Sequence, residues 1–385
     1  MRTLDQLDAK LEKRRPITST GAAFYITIPG SYYLTKDVTF NGNGLVIGTD
    51  NITIDLNGFS LVGIGAGTGS GILVSGAHKN IVIRNGTIRS FGGIAVQMST
   101  GSRSSLENLR VVDNKGTGAQ LGPGGTVFHC RFDTNGSAGL QAGAGAFITE
   151  SMATGNTGRG IQAATDSRIS RSTALSNNGD GFNVGTGSQV IESLADLNTG
   201  MGINAGSNCM ILNSTAASSQ TRGISVVDGS SIINCVVSKN RDYGIYTEKN
   251  ATVSRCTASK QTLGLGIGIR VGDDSSVSGC TANENNFEGI QAATKCLITD
   301  NIASANGNNN APGTGIHVGV GNRVDGNHVR NNIGAGIVAP ATDAGSAIVR
   351  NLSAGNFSGD YIGETSLIGP LQNPNTATSP WANFH

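Results

Sequence analysis

From residue 118 onward, short apolar-x-apolar triplets alternate with polar turns, and a glycine introduces each triplet. Gly118-Ala119-Gln120-Leu121, Gly139-Leu140-Gln141-Ala142 and Gly160-Ile161-Gln162-Ala163 show the element. It recurs at Gly181, Gly202, Gly223 and Gly244, each start 21 residues after the last. Gly268, Gly289, Gly315 and Gly336 continue it at spacings of 24, 21, 26 and 21, and looser versions open at Gly44, Gly71 and Gly93. A second short run follows in each unit, such as Ser188-Gln189-Val190-Ile191-Glu192-Ser193 or Ala251-Thr252-Val253-Ser254-Arg255-Cys256. Alternation of inward and outward residues over so few positions predicts two or three short strands per unit, with Gly, Asn and Asp making the turns. No long 3.6-period run occurs here, and the Leu-x-x-Leu-x-Leu signature of leucine-rich repeats is absent. Stacked parallel β-coils of about 21 residues are what the pattern predicts.

An independent column supports that register. Asn135, Asn156, Asn177, Asn198, Asn240, Asn285, Asn306 and Asn332 each follow a repeat glycine by 17 residues, with Asn114 upstream and Ser219 and Gln261 as the interruptions. Asn tolerates a left-handed turn and can hydrogen-bond to the next coil, so coils stacked about 4.8 Å apart predict an asparagine ladder. The ends of such a stack need covering. Leu4, Leu7 and Leu11 predict an amphipathic capping helix within a cap segment 1–20, coils run over 21–356, and a capping tail covers 357–385. Cys130, Cys235, Cys256 and Cys280 share one place in the repeat with Ser151, Ser172, Ser193 and Ser214, which predicts an interior ladder. Cys209 and Cys296 fall in another column and are expected as free thiols.

The runs Ile26-Thr27-Ile28-Pro29-Gly30-Ser31-Tyr32-Tyr33-Leu34 and Ile52-Thr53-Ile54-Asp55-Leu56-Asn57-Gly58-Phe59, together with the repeat, resemble bacterial right-handed parallel β-helix repeat proteins of the pectate-lyase-like superfamily. The resemblance spans nearly the whole chain. It implies an all-β, single-stranded right-handed parallel β-helix. As activities it implies polysaccharide lyases, epimerases or tailspike-like glycan binders, the last with a homotrimer as the assembly. It is specific for fold rather than for chemistry.

Composition narrows the partners. A net charge of +1 with 14% charged residues gives no electrostatic reason to expect nucleic acid or an acidic membrane. No segment reaches the roughly 18–20 apolar residues of a membrane span. The first residues lack the apolar core of a signal peptide, and the expected location is secreted or periplasmic, with the leader absent from this chain. The 57 glycines and few aromatics of a disordered-looking composition are explained by the repeat.

The third residue of each Gly-apolar-x-apolar element should face outward. That column reads Val46, Leu73, Ala95, Gln120, Gln141, Gln162, Asn183, Asn204, Ser225, Tyr246, Arg270, Gln291, His317 and Val338. Its amides form a candidate polysaccharide track, although a solvent-facing column is polar in any half-exposed sheet. Between Tyr246 and His317 it turns bulky and ionisable. Arg222, Tyr243 and Glu288 stand just before the repeat glycines, and Lys249 follows Tyr246. Two insertions, 263–267 and 307–312, fall in the same coils, and inserted loops tend to gather on one functional face. Lysis of a uronic-acid polymer needs a carboxylate clamp, a base for the C5 proton and an acid for the leaving oxygen. Arg270 is the expected clamp, His317 or Lys249 the base and Tyr246 the acid. Gln120, Gln141, Gln162, Asn183, Asn204, Arg222, Tyr243, Glu288 and Gln291 are the expected substrate contacts.

A non-catalytic glycan-binding or surface-structural protein is the alternative. A glycoside hydrolase is weaker, since Asp273-Asp274 resembles the paired aspartates of polygalacturonases while that family's Asn-x-Asp, Gly-His-Gly and Arg-x-Lys elements are missing. Ca²⁺ at this pair is weaker still, and no other metal is expected. Gly65-Ala66-Gly67-Thr68-Gly69-Ser70-Gly71 looks like a dinucleotide loop but precedes no helix pattern, so it is read as a connection between coils.

Overall fold

The computed structural model describes residues 14–18, 21–262, 265–340, 345–363 and 368–385. The helix expected over Leu4, Leu7 and Leu11 lies outside them. The chain forms two compact units, Met1–Ala163 and Ala164–His385. Among the described residues both units are all-β, and each coil of the regular repeat carries three short strands.

In the first unit, Ala119–Leu121 pairs in parallel with Leu140–Ala142, Thr126–Phe128 with Phe147–Thr149, and Arg131–Asp133 with Met152–Thr154. In the second, Phe182–Val184 pairs with Ile203–Ala205, Gln189–Ile191 with Met210–Leu212, and Leu194–Asp196 with Thr215–Ala217. Equivalent positions therefore stack in columns with no slip. The first strand of a coil turns two residues inward and one outward, and the other two strands turn their middle residue inward. Ile203, Ala205, Ile211 and Ala216 of one coil are all at most 2% exposed. Each buried Ile contributes about 1.5–3 kcal/mol by leaving water. A one-residue slip would turn this whole set outward, so the register is strongly fixed.

The looser start at Gly93 needs correction. Ala95 is buried and occupies the place of the repeat glycine, donating its N–H to Thr117 O, and the strand runs Val96–Met98. The outward residue is Gln97, which aligns with Leu73 and Gln120. Apolar residues at 94, 95 and 96 made the alternation ambiguous there.

The asparagine ladder forms within each unit. In the first, Asn114 Nδ2 donates to Asn135 Oδ1 and Asn135 Nδ2 to Asn156 Oδ1, both at 3.0 Å. In the second, Asn177 Nδ2 donates to Asn198 Oδ1 at 3.0 Å, and Asn285, Asn306, Asn332 and Asn356 continue at 2.8–2.9 Å. Ser219 and Gln261 interrupt the amide-to-amide bonds and join the column through the backbone, because Ser219 N donates to Asn240 Oδ1, Asn240 N to Gln261 Oε1 and Gln261 N to Asn285 Oδ1. The glycine column follows from this ladder. A Cβ at Gly181 would stand 2.7 Å from Asn198 Nδ2 and 2.7 Å from Gly202 O, closer than any side chain tolerates. Glycine and asparagine 17 residues apart thus occupy one space.

Two further ladders line the interior. Ser172 N donates to Ser193 Oγ and Ser193 N to Ser214 Oγ. Further along the same column, Cys235 N meets Cys256 Sγ, Cys256 N meets Cys280 Sγ, and Cys280 N donates to Asn301 Oδ1. Asn301, Asn327 and Asn351 extend it to Asn383 in the C-terminal tail. Cys209 and Cys296 sit in a second column, bonded to Ser230 and Asn322. All six cysteines are free and buried. In the tail, Phe384 bridges Leu352 and Ile368 bridges Ile348, while Trp381 lies under the Arg350 guanidinium at 5.8 Å.

Candidate functional site

The site is built by two positions of the repeat, the residue before each glycine and the outward residue of the first strand. A side chain at the first position reaches the outward residue of its own coil and that of the next. Asp180 shows the rule plainly, its Oδ2 accepting from Asn183 Nδ2 at 3.2 Å and from Asn204 Nδ2 at 3.3 Å. Asp180 was not legible as a partner of these amides until the coils were stacked.

The outward column itself runs in strict register. In the first unit Gln97, Gln120, Gln141 and Gln162 align, and Gln120 Nε2 donates to Gln141 Oε1 at 2.8 Å. Arg159 Nη1 adds a bond to Gln162 Oε1. In the second unit the order is Asn183, Asn204, Ser225, Tyr246, Arg270, Gln291, His317 and Val338. The amides of both units bond largely to one another and to their neighbours, as stacked side chains on a sheet do.

The face changes chemistry at the coil that Arg222 precedes. Arg222 Nη1 donates to Ser225 Oγ at 3.2 Å, and its guanidinium carbon lies 3.9 Å from the centroid of Tyr246. Tyr243 is 8% exposed and meets Tyr246 at 5.4 Å between centroids. Arg270 lies 5.1 Å from the Tyr246 centroid and 5.8 Å from that of Tyr243, and its Nε donates to Gln291 Oε1 at 2.8 Å. Burial pushes the Tyr243 phenol above its ordinary pKa, with the Arg270 charge opposing. Cation–π contact of this kind holds guanidinium groups in place while leaving their in-plane N–H edges for other partners.

The next element of the site is a histidine–carboxylate pair. His317 Nδ1 lies 2.6 Å from Glu288 Oε1. Glu288 was expected to touch substrate, yet it is 4% exposed and its contact is His317. The 26-residue coil carries this diagonal relation, since Glu288 precedes Gly289 and His317 is the outward residue after Gly315. The hydrogen bond that His317 donates to the Glu288 carboxylate raises the His317 pKa above its ordinary 6.5, against the opposing effect of burial. With Nδ1 engaged, Nε2 is the atom left for proton transfer. Glu288 Oε2 is buried without a hydrogen-bond partner. Arg270, Gln291 and His317, with Ala292, Ala293 and Gly319, line a groove of 240 Å³. The first insertion, 263–267, runs into the strand Ile267–Val271 that carries Arg270, and the second, 307–312, precedes the strand Ile316–Val318 that carries His317.

Other expected residues stand apart from this cluster. Lys249 is exposed at the turn after Tyr246, with Nζ 3.7 Å from Asp228 Oδ2. Asp273 Oδ1 accepts from Thr294 N at 2.9 Å and Thr294 Oγ1 at 2.6 Å, bonds that hold its pKa down, and Asp274 takes a left-handed turn at φ 55°. That pair serves the bend between coils. No group of three or more His, Cys, Asp or Glu side chains suited to a metal occurs among the described residues. No helix among them is long and apolar enough to cross a membrane.

In the first unit, a groove of 520 Å³ lies against the glycine-rich connection, lined by Asn41, Asn43, Thr68, Ser70, Leu73 and Gln97. Ser70 Oγ donates to Gln97 Oε1 at 3.1 Å, and its N–H to Asn43 Oδ1 at 2.8 Å.

Parallel coils and unshifted columns define a parallel β-solenoid. The pattern described as right handed beta helix region matches residues 19–151 and 199–353, and the chain belongs to that family. No curated protein matches it. Among solved structures it is similar to the A-module of Azotobacter vinelandii mannuronan C-5 epimerase AlgE4, at 14% identity over 95% of this chain and 91% of that one, with a TM-score of 0.40. It is also similar to the periplasmic alginate epimerase AlgG, at 11% identity over 89% and 84%, TM-score 0.39. The siphovirus 9NA tailspike receptor binding domain gives 11% identity over 98% and 80%, TM-score 0.34.

Proposed function

We propose that this chain is a secreted or periplasmic carbohydrate-active protein that moves the C5 proton of a uronic acid, the step shared by polysaccharide lyases and epimerases. The observation that carries the reading is the groove in which Arg270 and His317 stand on either side of Gln291, with His317 held by buried Glu288. A substrate carboxylate on the Arg270 guanidinium would lose its charge repulsion and acidify the adjacent C5–H. His317 Nε2 takes that proton, and Glu288 steadies the imidazolium that forms. The C5–H electron pair passes into the carboxylate as an enolate. In a lyase it returns as the C4–C5 double bond while O4 departs with a proton from water in the open groove, since Tyr246 stands three coils, about 14 Å, from His317 and outside the groove lining. In an epimerase C5 is reprotonated from the opposite face by water, and His317 returns its proton to solvent. Tyr243 and Gln291 position the sugar rings. Lys249, paired with Asp228, has no step in this scheme.

The test is to incubate the protein with a panel of acidic polysaccharides in D2O. Unsaturated-uronate absorbance and deuterium at C5 are both followed, for wild type, Arg270→Gln, His317→Gln and Tyr246→Phe. Turnover lost in the first two variants supports the reading; neither product nor exchange with any polymer sinks it. The self-bonded amide columns favour the second reading, a non-catalytic glycan-binding solenoid. Binding without exchange, and a trimer by light scattering, would be its signature.

A further inference from the structure

We propose that Arg222 and Arg270 together form a site for two neighbouring anionic groups, so that the polymer recognised carries acid groups on consecutive sugars. This rests on the reading of the groove as a uronate site and specifies its substrate. The two arginines belong to coils two apart, a separation of about 9.6 Å along the stack. Their guanidinium carbons nevertheless both approach one ring, standing 3.9 and 5.1 Å from the Tyr246 centroid, which brings them closer together than the coils that carry them. Tyr243 widens the platform, with the same guanidiniums 5.3 and 5.8 Å from its centroid.

Neither guanidinium has a carboxylate partner among the described residues. Arg222 bonds to Ser225 Oγ and Arg270 to Gln291 Oε1, both neutral acceptors. Two like charges held together without a counter-ion repel, and an anion at each relieves the repulsion. Each guanidinium has five N–H donors, of which the structure commits one to a hydrogen bond, so the in-plane edges suit carboxylates. One acid group on Arg270 satisfies half of this arrangement. Acid groups on adjoining sugars satisfy all of it.

The experiment is calorimetric titration of the full chain with two polymers at matched uronate concentration. One is a homopolymer of uronic acid; the other alternates uronate with a neutral N-acetylated sugar. Wild type is expected to bind the homopolymer at least tenfold more tightly. Arg222→Gln should bring the homopolymer down toward the level of the alternating polymer while weakening the latter far less, whereas Arg222→Lys, which keeps charge but not the planar fork, should fall between. An unchanged melting temperature establishes that the variants fold. Equal wild-type affinity for the two polymers, or an Arg222→Gln effect that is absent or the same on both, overturns the two-anion site while leaving the uronate reading standing. Binding of neither polymer overturns the uronate reading itself.

Discussion

Asn198→Ala tests whether the buried amide ladder is a main support of the second unit. Asn198 is fully buried. Its Oδ1 accepts from Asn177 N and Nδ2, both at 3.0 Å, and its Nδ2 donates to Ala174 O at 2.9 Å. Truncation removes the partner of three polar groups in the core. Each such loss costs about 1–3 kcal/mol, and a water entering the vacated space would recover part of the total. The expected net loss is about 3–5 kcal/mol, large for a single substitution. Asn198→Ser restores a hydroxyl that can accept, the residue type found at 219 in the same column, and should cost roughly half as much. The neighbouring Asn178 is exposed and accepts one bond from Thr199 Oγ1, so Asn178→Ala should stay within about 0.5 kcal/mol of wild type. Gly181→Ala should destabilise the wild type and do so less in the Asn198→Ala background, since one of its two closest obstructions is then gone. Urea unfolding monitored by circular dichroism gives the differences, provided the slopes agree. An Asn198→Ala protein as stable as Asn178→Ala would refute the ladder as a stabilising element.

Other outcomes follow from the same geometry. Because Glu288 raises the His317 pKa, the stability from this pair is full below the ordinary 6.5 and is lost as pH rises through the raised value; the difference between wild type and Glu288→Gln should shrink accordingly. If His317 is the base, kcat/KM rises with pH through that same value, and Glu288→Gln moves the rising limb to lower pH, as histidine NMR titration would show directly. Burial pushes the Cys130 thiol up to about 12, and all six cysteines are buried, so thiol reagents should label the native protein negligibly and the denatured protein six times. Deleting 368–385 removes the Asn383 acceptor from Asn351 and exposes the last coil, so the truncated chain should self-associate in light scattering.

The coil architecture was readable because one register is repeated without slip, so glycine and asparagine columns could be checked against each other. It failed locally at Gly93, where consecutive apolar residues left two registers open and Ala95 took the glycine's place. The ladder through Asn301, Asn327 and Asn351 escaped notice because coils of unequal length hide its periodicity. The candidate site was read from a change of chemistry between Tyr246 and His317. Its internal relations were not, because they run diagonally, from the residue before one glycine to the outward residue of the next coil. That offset links Glu288 to His317 and Arg222 to Tyr246, and it becomes legible only when coils are laid side by side.

The asparagine ladder of the second unit is also a one-way street. From Asn285 to Asn356 each amide gives one proton to the Oδ1 of its C-terminal neighbour, so every rung added leaves a fresh donor in need of an acceptor. Asp360 answers that need at Asn356, its Oδ1 accepting from Nδ2 at 2.8 Å, and a carboxylate has no proton to pass on. Length is therefore counted in whole rungs and stopped by a terminator. Between Asn285 and Asn356 the run of rungs has a direction and an end, and the end is fixed by the one acceptor in it that carries no proton.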